Sequence, residues 1–383
     1  MTERKGKSEY HRIMLMLAFF IAFLVHILLF CTAPMVTLIM EEMALSHADF
    51  GFIFSAAMIS LILFRIPWGL VGDRIGYLNA LRIALPICVA SAVLRAFSTG
   101  YWSLLVSQFF IGLGLAAVLP CLPLLVKEWA PRTSGFSTGI YVSGLAMGNA
   151  TALGLTPNLL EIMDWRDVLF AYSGVAAVIC VLWWTVARST VRSTSGFQLA
   201  NIAGFLKDRY IWVLLFFMMA SMGCYDTLAT WVPKVLEMKE LSKTLASLLP
   251  LGFFLAGPIF GFMLDRFRNR KIFVTLLGAV AAISIVGINY APYPLLLLCI
   301  FLSGFTIIGF LTISLAIPAR HERLSAYAGS VVGFISSFGN VGPLVMPVIF
   351  GFLIDVTGTL QASILSVALL AGIVFILGSR VSE

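Results

Sequence analysis

Charge is what this sequence has least of. Asp, Glu, Lys and Arg together make up 11% of its 383 residues, whereas 60% are hydrophobic. Soluble domains carry roughly 25% charged residues, so the composition excludes an ordinary water-soluble fold. A lipid bilayer solvates that much apolar surface, and each spanning helix needs about 20 apolar residues. The chain is long enough for twelve such helices joined by short loops.

The sequence also lacks the motifs of enzymes and metal sites. It has no His-Glu-x-x-His, no phosphate-binding Gly-Lys loop and no stretch long enough for a soluble domain. Its six cysteines fall inside apolar segments without metal-ligand spacing, which is typical of small buried side chains. We therefore expect no enzyme activity, cofactor or metal, and the same absences argue against an intramembrane enzyme or a receptor.

No cleavable signal peptide is indicated either. The first apolar segment, from Ile13 onward, is longer than a signal h-region, and no small-residue cleavage site ends it. We expect this segment to remain as the first membrane helix.

The apolar segments predict an all-α membrane protein with twelve transmembrane helices. We call them spans 1 to 12, and they fall near 13–40, 50–71, 79–98, 101–126, 135–160, 167–187, 210–235, 243–264, 271–290, 293–318, 325–353 and 359–379. Three domains follow: an N-terminal six-helix bundle (1–187), a cytoplasmic linker (188–209) and a C-terminal six-helix bundle (210–383).

The positive charges test this count. If the N-terminus is cytoplasmic, 19 of the 25 Lys and Arg residues fall in cytoplasmic segments and four in outer ones. This is the bias of the positive-inside rule, and one miscounted helix would destroy it. The charges therefore predict a multi-pass inner-membrane protein with both termini cytoplasmic. The net charge of +7 is explained by topology and headgroup contact, so no nucleic acid partner is implied.

The two six-helix groups repeat one another. Gly69 and Asp73 recur as Gly261 and Asp265, Gly148-Asn149 as Gly339-Asn340, and Gly139 as Gly329, at offsets of 190 to 192 residues. Three coincidences at nearly one offset indicate two homologous halves. Two such halves are typical of secondary transporters, which hold their substrate between the halves near the midplane of the membrane.

These features resemble the major facilitator superfamily over essentially the whole chain. The signature between spans 2 and 3 is present as Gly69, Asp73, Arg74 and Gly76, although Tyr77 and Leu78 replace its basic pair. The second copy contains Gly261, Asp265 and Arg266, with further basic residues behind it. The resemblance implies the two-bundle fold of that superfamily and transport by alternating access.

Within the superfamily, the chain is most similar to nitrate/nitrite porters and to the cyanate-transporter-like group. The likeness to nitrate porters rests on Phe64-Arg65-Ile66-Pro67 and on the Gly-Asn segments of spans 5 and 11. The likeness to the cyanate-transporter-like group rests on Trp165-Arg166 and Trp231-Val-Pro233. The resemblance implies that Arg65 binds the anion. Nitrate porters have a second Arg where Gly257 stands here, and Gln108 stands where many antiporters have Arg.

The repeated motif predicts a cytoplasmic gate. A carboxylate at a helix end pairs well with an Arg or with a helix N-terminus. We expect Asp73 to bind Arg132 or the start of span 11, and we assign Arg74, Asp265 and Arg266 to the same gate. The alternative is that these are solvated loop charges.

Arg65 is the main candidate for substrate binding. It lies eight residues, roughly 12 Å, from Asp73, and therefore near the midplane. A charge there costs about 2.5–3.5 kcal/mol, which is usually tolerated for a substrate or a partner. The alternative is an ion pair with a buried acid. Arg95 lies near the outer end of span 3, where we expect it to extend to the membrane surface.

Six further residues complete the predicted site. His26 and Asp226 lie at similar depths in spans 1 and 7, so a His–Asp pair is predicted to take up a proton; alternatively, Asp226 caps a helix break or is exposed near the outer surface. Substrate contact is predicted for four residues, although packing alone would also explain the two amides: Asn149, Asn340, Tyr141 and Tyr225.

The sequence thus predicts a secondary active transporter of a small anion, such as a monocarboxylate, cyanate or a nitrate-like ion. It would be driven by protons or by exchange, and its partners would be the anion and membrane lipid, with the protein acting as a monomer. The alternative is a proton-driven exporter of drugs or metabolites. An exporter of cations would need buried acids at the midplane, and Asp226 is the only candidate.

Overall fold

The computed structural model describes most of the chain as α-helix. Its described residues are 2–130, 134–188, 209–266, 270–320 and 328–378, with side chains for 10–130, 137–188, 210–256, 259–260, 275–309 and 334–373. The predicted linker, 188–209, lies outside this part except at its two ends, so the division into domains stays a prediction. We name the two ends of each span by the predicted orientation, as cytoplasmic and outer.

The helices match the twelve predicted spans within a few residues, except that the first helix begins at Thr2 rather than near Ile13, and they confirm the fold class. In the first half they are Thr2–Phe30 with Val36–Met43 (span 1), His47–Ile75 (span 2), Tyr77–Ala96 (span 3), Tyr101–Leu115 with Val118–Trp129 (span 4), Ser134–Leu159 (span 5) and Trp165–Val186 (span 6). In the second half they are Arg209–Met238 (span 7), Leu248–Arg266 (span 8), Arg270–Tyr290 (span 9), Leu295–Arg320 (span 10), Ala328–Gly339 with Val341–Thr357 (span 11) and Leu360–Gly378 (span 12).

Within the described residues, seven of these helical segments are long and apolar enough to cross a membrane. Large apolar side chains also cover their outward faces: Trp102 is 73% exposed and Leu63 is 57% exposed. Exposed apolar surface of this extent suits contact with lipid rather than water. The protein is therefore a multi-pass membrane protein.

Four spans are interrupted, and proline explains the positions of the interruptions. Span 1 contains the 3₁₀ turn Ala33–Met35 with Pro34 at its start, and span 8 begins with the 3₁₀ turn Lys243–Ser247. After each of three breaks, the third residue of the new helix is proline: Pro120, Pro250 and Pro343. Proline lacks an N–H, so it fits the first turn of a helix, where that donor has no partner within the helix.

Glycines set the same helix pairs in both halves. A Cβ atom at Gly148 of span 5 would overlap the Phe23 carbonyl of span 1, and one at Gly342 of span 11 would overlap the Met219 carbonyl of span 7. Spans 2 and 4 touch in the same way at Gly112, as do spans 8 and 10. Small residues let membrane helices approach closely, and the repeated pairing confirms two homologous halves.

Replacement of Gly148 by valine should therefore push spans 1 and 5 apart. Overpacking costs about 1–3 kcal/mol, so we expect a clearly lower melting temperature for the purified protein in detergent. Gly139→Val is the matched control, because a Cβ atom at Gly139, in the same helix, meets nothing within 4 Å. Equal melting temperatures of the two variants would show that this contact is not close.

Candidate functional site

Arg65 lies between the two halves, bound to the break in span 11. Its side chain is 8% exposed, and its Nη1 donates a hydrogen bond to the carbonyl oxygen of Ser336 at 3.0 Å. That oxygen is available because the backbone N–H of Asn340 bonds Ser337 instead, across a three-residue turn. The interruption of span 11 thus supplies an acceptor that a continuous helix would have used itself.

The side-chain amide of Asn340 donates to the same carbonyl oxygen, that of Ser336. Its Nδ2 donates to the Ser336 carbonyl at 2.9 Å and to the Ser337 carbonyl at 3.2 Å. Asn340 therefore stabilises the end of its own helix and stands beside Arg65 through the shared oxygen. Its predicted contact with substrate stays a prediction.

The remaining donors of Arg65 have no protein partner in the described part of the chain. Its buried Nε makes no hydrogen bond, and Arg65 forms no ion pair with any described residue. The edge formed by Nε and Nη2 is thus available for an anion, and a guanidinium edge matches the two oxygens of a carboxylate. Within the described residues, the alternative of a structural ion pair is not supported.

Asn149 and Tyr225 form a second contact between the halves, further toward the outer end. The amide Nδ2 of Asn149, in span 5, donates to the hydroxyl of Tyr225, in span 7, at 3.0 Å. Both side chains are buried, with 0% and 3% exposed surface. The ring of Phe253, in span 8, packs edge-on against Tyr225 at 5.3 Å and lies 6.4 Å from the ring of His26.

The predicted proton pair is not formed in this state. The ring of His26 packs on Phe30 and Phe253, and its Nδ1 makes no hydrogen bond. Asp226 is half-buried in span 7, and it makes no ion pair within the described residues. The proton-coupling roles stay predictions. Tyr141, 8% exposed, lies two helical turns from Asn149 toward the cytoplasmic end.

The predicted cytoplasmic gate is only partly described. Asp73 is half-buried at the end of span 2, where neighbouring Gly72 approaches the Cys121 sulfur of span 4, and Arg74 is exposed. Arg132 and the side chains of Asp265 and Arg266 lie outside the described residues. The gate therefore stays a prediction.

The outer ends of spans 2 and 11 are tied together by contacts that sequence reasoning missed. The carboxylate of Asp355 accepts hydrogen bonds from the backbone N–H groups of His47 and Ala48, at 3.1 and 2.8 Å, and lies 2.7 Å from His47 Nδ1. Asp355 thus caps, from the second half, the first turn of a helix in the first half. A carboxylate at a helix N-terminus satisfies free donors and interacts favourably with the helix dipole.

Close backbone contact reinforces this closure. A Cβ atom at Gly51 would lie 2.7 Å from the Pro347 carbonyl oxygen, and one at Gly351 would overlap the His47 carbonyl. Beside them, span 7 also binds span 1: Lys234 Nζ donates to the Thr37 hydroxyl at 2.8 Å. The outer end of the site is closed by these contacts.

Arg95 was predicted at the membrane surface, and this prediction is wrong. The side chain is 0% exposed: its Nη1 donates to the Leu28 carbonyl at 2.7 Å and to Gln108 Oε1 at 3.0 Å. Leu28 lies just before the break in span 1, so the cation stabilises the C-terminal end of that helix. This contact holds Arg95 inside the first bundle and away from the site between the halves.

Comparison with known proteins gives a consistent picture. The Major Facilitator Superfamily matches residues 18–251 and 235–381. The D-galactonate transporter of Escherichia coli O6:H1 is 25% identical over 387 residues, covering 88% of each chain. The gentisate transporter of Corynebacterium glutamicum is 24% identical over 340 residues, covering 82% of this chain and 74% of the relative. The solved structure of a mutant of the nucleoside transporter NupG superposes with a TM-score of 0.81 at 14% identity, covering 96% of this chain and 99% of that one.

Gly351→Leu should prevent closure of the outer end while leaving each bundle intact, since the added side chain meets a carbonyl of the opposite half. The reporter is Ser55→Cys: Ser55 is buried and donates to the Leu344 carbonyl across the interface. We expect an impermeant maleimide, added outside cells, to label this cysteine several-fold faster in the leucine variant.

Gly372→Leu, where a Cβ atom meets nothing within 4 Å, is the control and should label like the parent. The native cysteines of the described residues are all buried, so the parent without the reporter gives the background. Slow labelling of the Gly351 variant would mean that the outer ends of spans 2 and 11 do not need this contact to close.

Proposed function

The chain belongs to the Major Facilitator Superfamily, and from this premise we propose that it is a secondary transporter of a small organic carboxylate. We place it in the cytoplasmic membrane with both termini inside, as the charge distribution indicates. Support for the cargo comes from Arg65, a buried cation between the halves whose Nε has no partner and which pairs with no described acid. The relatives named for D-galactonate and gentisate are transporters of organic acids.

The geometry of Arg65 favours a carboxylate. Nη1 is held by the Ser336 carbonyl, which fixes the plane of the guanidinium and leaves its Nε edge pointing away from that bond. A fixed planar fork binds two oxygens of one group with little loss of side-chain entropy. Nitrate and cyanate are further candidate ligands of the same edge, in line with the resemblance to their porters, and they are included in the test.

Alternating access then works by rocking of the two halves. In the closed outer end described above, Asp355 and the glycine contacts keep solvent out. Opening to the outside breaks these contacts, and the predicted Asp73 gate would close the cytoplasmic end in that state. An anion bound to Arg65 becomes accessible from each side of the membrane in turn, because Arg65 lies where the two halves meet.

We also propose that Asp226 couples transport to protons. A carboxylate beside an anion site opposes binding until it is protonated, because like charges in a medium of low dielectric repel strongly. The half-buried position of Asp226, next to Tyr225 and without a described cation partner, suits this role. His26, within the same interface, is the second proton-carrying candidate.

The anion site is tested by ligand binding to purified protein. Thermal shift is measured with a panel of carboxylates, nitrate and cyanate on wild type, Arg65→Gln and Arg65→Lys. We expect a carboxylate to stabilise the wild type and to have no effect on Arg65→Gln. The affinity of Arg65→Lys for that carboxylate should be at least tenfold lower, since a charge-assisted hydrogen bond is worth about 1.5–3 kcal/mol. Arg82→Gln, at the cytoplasmic end of span 3, is the matched control.

If no anion stabilises the wild type, or if Arg65→Gln responds as the wild type does, the proposal is wrong. An exporter of neutral or cationic compounds would then be the better interpretation.

Proton coupling is tested separately with Asp226→Asn in proteoliposomes. The amide imitates the protonated acid, so exchange of labelled for unlabelled substrate should continue, whereas accumulation driven by a pH gradient should be lost. A variant that still accumulates substrate in response to the gradient would exclude Asp226 as the coupling group. His26→Gln, measured in parallel, shows whether the histidine is needed as well.

A further inference from the structure

The Asn149–Tyr225 pair joins the two halves inside the membrane-spanning part of the protein. Span 5 is fixed against span 1 by Gly148, and span 7 is fixed against span 11 by Gly223, so each member is held by its own bundle. The single direct bond between them is the 3.0 Å contact from Asn149 Nδ2 to the Tyr225 hydroxyl. The pair is therefore made and broken by movement of one half relative to the other.

The pair leaves the Asn149 Oδ1 acceptor and the Tyr225 O–H donor unused, together with the second N–H of the Asn149 amide. Asn149 Oδ1 is buried and makes no hydrogen bond, and the Tyr225 hydroxyl, which accepts from Asn149, donates to no acceptor in the described part of the chain. In the orientation described, Asn149 Nδ2 rather than Oδ1 faces the Tyr225 hydroxyl, and this orientation fixes which atoms remain unpaired. A buried polar atom without a partner costs about 1–3 kcal/mol, so the arrangement requires an explanation.

A hydroxyl group is the ligand that satisfies both vacancies, since it donates once and accepts through its lone pairs. A carboxylate or a nitrate ion only accepts, so it would leave the Asn149 oxygen unpaired. The ring of Phe253 packs on Tyr225 and also lies 6.4 Å from the ring of His26. Neither of these neighbouring rings donates a hydrogen bond to the Asn149 oxygen.

The position of the pair relative to Arg65 suits one small molecule. Gly223 lies against Gly342. Tyr225 is two residues beyond Gly223 toward the outer end, and Ser336 is six residues before Gly342 toward the cytoplasmic end. Tyr225 and Ser336 are therefore roughly 12 Å apart along the helix axes. The side chains of Tyr225 and Arg65 both lean toward the N-termini of their antiparallel helices, and therefore toward one another. The two binding groups are therefore closer to one another than this axial distance between their backbones.

We propose that Asn149 and Tyr225 bind a hydroxyl group of the substrate while Arg65 binds its carboxylate, so that the cargo is a hydroxylated carboxylate. This inference rests on the function proposed above and narrows its substrate class. The two residues act as specificity determinants: the hydroxyl enters beside them when the halves are apart, and closure brings both residues within hydrogen-bonding distance of it. An acid without the hydroxyl leaves both vacancies unfilled and binds more weakly.

The test compares matched pairs of acids on purified wild-type protein: benzoate with its mono- and dihydroxylated forms, and hexanoate with gluconate. Dissociation constants come from thermal shift or calorimetry. We expect the hydroxylated member of at least one pair to bind ten times more tightly or better. A site built for a hydroxyl rejects the analogue lacking it, because its polar groups stay unpaired.

Two variants assign this preference to the pair. Tyr225→Phe keeps the ring and its contact with Phe253 but removes the hydroxyl, and Asn149→Leu keeps the approximate volume. In both variants the dissociation constants of the plain and the hydroxylated acid should lie within threefold of each other, because affinity for the hydroxylated acid is lost. Arg65→Gln should lose affinity for both acids. If Asn149→Leu does not fold, Tyr225→Phe alone decides, since it changes one atom.

The outcomes separate this inference from the proposed function. Failure of every carboxylate to bind wild type overturns both. Binding of plain and hydroxylated acids with equal affinity, as expected if the pair holds only water, overturns the hydroxyl site and leaves the carboxylate site intact. A preference that persists unchanged in Tyr225→Phe likewise excludes the pair as its source.

Discussion

The carbonyl oxygen of Ser336 is the acceptor around which the site is organised. Inside a membrane every backbone polar group needs a partner within the protein, so a broken helix is tolerated only where something else satisfies it. Here the break before Pro343 frees this oxygen, and Asn340 and Arg65 both donate to it. One donor comes from the same helix and the other from the opposite half. The interruption of span 11 thus provides the acceptor that fixes the orientation of Arg65, the only described cation between the halves near the midplane.

The closed outer end depends on the same pair of spans, but its chemistry is different. At the midplane span 11 accepts from span 2, whereas at the outer end span 11 caps span 2 through Asp355. The corresponding contact between spans 5 and 8 is weaker and neutral, a 3.4 Å bond from Thr244 to Asn158. The two interfaces related by the internal repeat are therefore unequal. The charged contact that closes the outer end lies between spans 2 and 11. Because the related pair of spans lacks it, the internal repeat could not predict the contact.

Much of the fold could be predicted from the sequence because the bilayer imposes it. Span number, span limits and the duplication of the halves follow from hydropathy, charge placement and motif spacing, and Arg65 stands out because a midplane charge is costly. Depth along a helix, however, gives no direction around it. This is why Arg95 was placed at the surface although it turns inward to the Leu28 carbonyl, and why His47 and Asp355, 308 residues apart, were missed. Proline is the third residue of the new helix after three of the four interruptions, and it could have located those three from the sequence.

Binding energy can drive transport only if the substrate interacts differently with the two arrangements of the halves. The contacts assigned to the substrate meet this condition together, because Arg65 and Asn149 lie in the first half and Tyr225 lies in the second. A ligand that reached only one half would bind equally well to either arrangement and would shift nothing. An anion on Arg65 neutralises a charge that is otherwise buried without an acid among the described residues. One hydroxyl group can bond both Asn149 and Tyr225 only when the halves are together. The free energy of recognition is therefore gained on closure, which is where a carrier needs it to make movement depend on the presence of its cargo.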